Sequence, residues 1–195
     1  MIRIKSVKEV KPQVSVGIMG YEHGMGVTHL SIALADYTSH WLHARTAVVE
    51  YGERDTLAGL SATGVAENFR RDGVDYFPAA TSRDLGFIYN MDYEYIILDL
   101  GCDSRNAREE LMRCCRKLIA GSLCPWRKRA YYDYIQRLLK NMGNSDIFTF
   151  LALFEDKIEI KKCRRACKVQ VKSIPFMEDP FCVGKRETSF LHSLV

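Results

Sequence analysis

The chain has 195 residues and a mass of 22.4 kDa, enough for one domain with a substantial core. With 47% hydrophobic and 27% charged residues it is neither a disordered nor a collagen-like chain, and no apolar run approaches the roughly 20 residues of a membrane-spanning helix. The net charge of +4 conceals opposed segments: Glu50–Glu110 carries 13 acidic against 6 basic residues, and Leu111–Lys172 carries 15 basic against 5 acidic. Seven cysteines, an odd number, with no apolar stretch of signal-peptide length behind Met1, lead us to expect reduced thiols and a cytoplasmic protein.

In chain order, Val14–Gly20 reads as a buried strand ending in glycine. A glycine-rich turn follows, and Thr28 to His40 then has Leu30, Leu34, Tyr37 and Trp41 at helical spacing. Thr46–Glu50 and Val74–Phe77 are short apolar strands, and Tyr93–Gly101 is the clearest buried strand of the sequence. Asn106–Cys115 reads as helix, Lys117–Gly121 as strand, and Arg127–Asn141 as a helix burying Tyr131, Tyr134, Ile135, Leu138 and Leu139. Ile147–Phe154 is a continuous apolar run, Lys157–Cys167 is expected to be helical, and Val169–Pro175 closes with a strand. Strands that are apolar throughout, alternating with helices, imply an α/β domain with a doubly wound, mainly parallel sheet covered on both faces. We expect a single domain over residues 1–195, with 1–12 and 181–195 as tails.

Between the first strand and its helix lies Gly20-Tyr21-Glu22-His23-Gly24-Met25-Gly26-Val27-Thr28-His29. A glycine turn running into a helix N-terminus points backbone N–H groups at an anion, the arrangement that cradles phosphate. A complete phosphate-binding loop also places a lysine before the threonine; here that position is Val27.

The loop and the order of elements resemble the MinD/ParA family of P-loop NTPases, whose loop reads KGGxGKT. Gly24, Gly26 and Thr28 match, Glu22 stands at the signature lysine and Val27 at the second lysine. Tyr95–Asp99 resembles the family's Walker B strand, Asp75–Ala79 its "DVLPA" strand end, and Ile174-Pro175 its "IP" element near the base. The resemblance implies a phosphate site at Gly24, Gly26, Val27, Thr28 and His29, a Mg²⁺ site at Thr28, Asp99 and Glu50, and ATP or GTP with Mg²⁺ as a weakly held cofactor. It also implies what is missing. The family's second-strand "DxD" survives only as Glu50, with Gly52 at the second acid, and no asparagine follows the sixth strand in Leu153–Asp156. Phosphoryl transfer depends on positioned positive charge. Losing both lysines therefore predicts a degenerate NTPase with no catalytic residue, whose hollow either binds sulfate or phosphate weakly or takes the Glu22 carboxylate as a plug.

His23 and His29 read as local hydrogen-bonding residues, the alternative for each being a phosphate ligand. No CxxC pair exists, so no structural metal is expected, and the absence of a GxSxG elbow gives hydrolase chemistry little support. Tyr131 and Tyr134 beside Arg127-Lys128-Arg129 mix aromatic and basic residues but stand at core spacing. MinD-type proteins end in a membrane-binding amphipathic helix; the weakly charged terminus from Gly184 is expected to pack on the domain instead. The resulting expectation is a regulatory or scaffolding module with protein partners, and any homodimer not driven by ATP. The alternatives are an active ATPase or small-molecule kinase with a non-standard loop, and a module binding nucleic acid or an anionic membrane through residues 157–172.

Overall fold

Eight strands build one sheet in the order β3-β4-β2-β5-β1-β6-β7-β8, in a computed structural model that describes residues 12–65, 67–143, 145–153 and 157–195. The strands are β1 (Val14–Gly20), β2 (Thr46–Tyr51), β3 (Phe69–Arg71), β4 (Val74–Ala80), β5 (Tyr95–Cys102), β6 (Arg116–Gly121), β7 (Phe148–Leu153) and β8 (Val171–Ile174). All pairings are parallel except β3 with β4, which join antiparallel through the Asp72-Gly73 turn. The helices are α1 (Val27–Asp36), α2 (Ser82–Ile88), α3 (Arg105–Arg113), α4 (Lys128–Met142), α5 (Lys157–Cys167) and α6 (Lys185–His192).

Strand β1 is central because both its faces are apolar: Val16, Ile18 and Met19 are fully buried, with Val16 opposite Ile97 of β5 and Arg116 of β6. Helices α2 to α5 supply Leu85, Leu111, Ile135 and Ile160 to the core on one face. Leu30 and Leu34 of α1 and Leu191 of α6 fill the core on the other. This two-faced cover is what parallel strands require.

The first helix is shorter than its apolar spacing suggests. Helix α1 ends at Asp36 and the chain continues as a π-helical turn over Tyr37–Trp41. Thr38 is buried there and its hydroxyl contacts the Leu34 and Ala35 carbonyls and the Thr46 hydroxyl, so the chain is pulled out of the α register. Trp41 consequently lies at the surface, 41% exposed, its indole N–H donating to the Val183 carbonyl at 3.2 Å. Residues 181–195 pack on this end of α1. Buried Asp36 accepts the Val183 N–H at 3.0 Å, the Tyr37 hydroxyl meets His192 Nδ1 at 2.9 Å, and Leu191 and Leu194 are buried. Residues 1–11 lie outside the described residues. No helix among the described residues is long and apolar enough to cross a membrane.

Candidate functional site

Loop Tyr21–Gly26 leaves β1 at the carboxyl end of the sheet, where ligands of open α/β sheets bind. Gly24 (φ 78°) and Gly26 (φ 69°) adopt left-handed backbone, which a side chain would strain, and Gly26 caps α1. The N–H groups of Gly24, Gly26, Val27, Thr28 and His29 donate to no acceptor among the described residues; the first turn closes only with Leu30 N–H to Gly26 O, at 2.9 Å. The backbone half of a phosphate cradle is therefore present.

The side-chain half is not. Val27, at the lysine position, is 8% exposed and belongs to the apolar core around α1. Its side chain is spent on packing and brings no charge to the loop. Glu22 does not plug the hollow: its carboxylate accepts from the Tyr21 hydroxyl at 2.7 Å and pairs with Arg127 Nη1 at 3.1 Å, at the start of α4. Two donors, the Tyr21 hydroxyl and the Arg127 guanidinium, thus hold the carboxylate that sequence reading offers as a plug. His23 turns to Cys102, Nε2 to Sγ 3.2 Å, and His29 lines a cavity of about 350 Å³ with Gly24, Gly26, Ile174, Pro175 and Phe176. The loop and the "IP" element thus face one hollow. Phe154–Asp156, where a base-reading asparagine would fall, lie outside the described residues.

Thr28, Glu50 and Asp99 are brought together as the resemblance implies. Thr28 Oγ1 donates to Asp99 Oδ2 at 2.5 Å, and Glu50 and Asp99 are both fully buried at adjacent positions of β2 and β5. Between them sits Arg54. Its Nη2 donates to Asp99 Oδ1 at 2.9 Å and to the Asp99 carbonyl at 2.7 Å, and its Nη1 lies 3.8 Å from Glu50 Oε1. The Gly101 N–H gives Asp99 Oδ1 a second donor at 3.0 Å, while Glu50 accepts the N–H groups of Thr56 and Leu57 at 3.1 and 3.0 Å. All four carboxylate oxygens are thus engaged by N–H or O–H donors. The Arg54 guanidinium stands in a cation's place against the two carboxylates, so Mg²⁺, which needs near-octahedral oxygen ligands, does not fit these residues as arranged. Among the described residues no group of three His, Cys, Asp or Glu side chains converges for a metal elsewhere.

Arg54 is the residue that motif reading passes over, because it belongs to no family signature. One signal was available: it is the only basic residue between Arg45 and Arg70, four positions after a strand-end acid. Gly52, at the second acid of the "DxD" pattern, has φ 98° and open space where a Cβ would stand.

No protein-family model matches the sequence, and no curated protein matches it. Solved structures do match in fold. The MinD cell division protein of Aquifex aeolicus superposes with a TM-score of 0.60 at 14% identity, over 83% of this chain and 81% of that one. A ParA family ATPase from Chlorobium tepidum gives 0.61 at 13%, over 86% of each chain. A plasmid partition protein from Borrelia burgdorferi bound to AMPPNP gives 0.63 at 13%, over 94% and 97%. The chain has the MinD/ParA-like P-loop NTPase fold, a nucleotide-binding fold.

Proposed function

We propose that this chain is a degenerate MinD/ParA-like protein with little or no ATPase activity, acting as a regulatory or scaffolding module within a larger assembly. One observation carries the reading: the loop keeps its backbone N–H groups, while Val27, in the lysine's place, is a core residue. Without that positive charge the phosphoryl transition state loses its main stabilisation. Gly52 in turn supplies no carboxylate near an attacking water.

Mg²⁺-ATP and Mg²⁺-GTP titrated by calorimetry into the apo protein, with a turnover assay in parallel, test this. Weak binding and no turnover are expected. The Glu22→Gly/Val27→Lys double variant should bind ATP roughly tenfold tighter or more, the size of one charge-assisted contact, and still hydrolyse slowly. Micromolar ATP affinity in the wild type, or turnover that depends on Asp99, would establish the active ATPase or kinase instead.

A second reading, a binder of nucleic acid or an anionic membrane, is favoured by the solvent face of α5. Lys161, Arg164 and Arg165 are exposed there, and Lys168 is exposed just past its end. It predicts DNA affinity that falls steeply with salt.

A further inference from the structure

Fold relatives of this kind lead one to expect a divalent cation beside Thr28 and Asp99, yet the Arg54 guanidinium already lies against both Asp99 and Glu50. We infer that Arg54 is the resident cation of this site. It replaces the metal, so whatever oligophosphate the loop takes is bound without a divalent ion. The inference rests on the nucleotide-binding-fold reading above and goes past it by specifying metal-free recognition.

Three features carry it. First, Glu50 and Asp99 are fully buried side by side, and the Arg54 guanidinium lies against both, 2.9 Å from Asp99 Oδ1 and 3.8 Å from Glu50 Oε1. Second, its seat is built for it. Gly101 has φ 65°, and a Cβ there would lie 2.8 Å from Arg54 Cζ, so the strand end is shaped around the guanidinium. Third, the seat is held from the backbone too, through the Asp99 carbonyl, which accepts from Arg54 Nη2 at 2.7 Å. Arg54 still reaches solvent: its side chain is 32% exposed and borders a cavity of about 500 Å³ with Tyr51, Gly52, Cys102 and Ser104. A planar guanidinium has five N–H donors, more than Asp99 uses, and matches phosphate oxygens well. Entry of Mg²⁺ would require Arg54 to leave and abandon both carboxylates.

The test uses ATP and inorganic tripolyphosphate, each titrated calorimetrically into the full chain in Mg²⁺ and in EDTA, with Mn²⁺ binding followed by electron paramagnetic resonance. For the wild type we expect weak binding whose constant changes by less than about twofold between Mg²⁺ and EDTA, and no bound Mn²⁺. Equal binding of the two probes assigns recognition to the phosphates; preference for ATP adds the base. Arg54→Ala should lose about tenfold or more in EDTA and gain a Mn²⁺ signal with phosphate present. The wild-type comparison stands alone if that variant does not fold. Binding at least about tenfold tighter in Mg²⁺, a Mn²⁺ signal in the wild type, or no binding of either probe overturns the inference. ATP turnover would instead sink the pseudo-ATPase reading, and the two failures are separable.

Discussion

Gly101 makes room for Arg54, and that dependence can be measured at the scale of a single methyl group. Gly101→Ala adds a Cβ in left-handed backbone and against Arg54 Cζ, at 2.8 Å. We expect a loss of about 1–3 kcal/mol in urea unfolding, the cost of such backbone strain. A second residue-scale prediction concerns the paired thiols after α3. Cys114 is buried, which pushes its thiol up to about 12, whereas Cys115 is exposed and held below its ordinary value by the Ser15 hydroxyl. The thiolate is the reactive form. Iodoacetamide near pH 8, followed by mass spectrometry, should therefore modify Cys115 well before Cys114, and Ser15→Ala should slow Cys115. At this scale the glycine loop and the Thr28–Asp99 partnership were legible, because family motifs name them. The Arg54 seat was not, because it depends on where Gly101 and two strand ends meet in space. The direction of Glu22 was hidden for a similar reason: Arg127, its partner, is 105 positions away in sequence.

Among the elements, α4 was the easiest to read, since one periodic face carries Tyr131, Tyr134, Ile135 and Leu138 into the core. Tyr131 also does something periodicity cannot express. Its hydroxyl lies 3.0 Å from the Ile119 carbonyl and 2.9 Å from that of Leu151, so it fastens the helix to both β6 and β7. Tyr131→Phe should cost about 1–3 kcal/mol in chemical denaturation, because buried carbonyls lose a donor. Helices α2 and α6, with 7 and 8 residues, offer too few turns for a periodic signal, and β3 has only three residues. Local capping explains α2 after the fact: Thr81 and Asp84 form a reciprocal capping box. For α6 the anchor is packing. Leu191 is fully buried, and Leu191→Ala should destabilise the protein by about 2–5 kcal/mol, read as a lower denaturation midpoint at unchanged slope.

Over the whole molecule, the topology turns a sequence asymmetry into a spatial one. Strands β3, β4 and β5, from the acidic segment, lie on one side of β1, and β6 and β7, from the basic segment, lie on the other. The parallel sheet was legible from its apolar strands; the strand order was not, since burial alone does not say which strands are neighbours. Association is the property most affected at this scale. The resemblance implies dimers formed face to face across the nucleotide, with a lysine where this chain has Glu22 paired to Arg127. Light scattering should give one mass with and without Mg²⁺-ATP; an ATP-dependent dimer abolished by Glu22→Ala would contradict that. The central place of β1 also bears on how the chain comes off the ribosome. Val14 pairs with Tyr95, and Val16 with Ile97 and Arg116, so this strand has neither of its neighbours until β5 and β6, made much later, exist. Closing so long a loop costs entropy before any pairing rewards it. A nascent chain arrested before Tyr95 should be digested readily by protease, and resistance should rise only once Gly121 has cleared the exit tunnel.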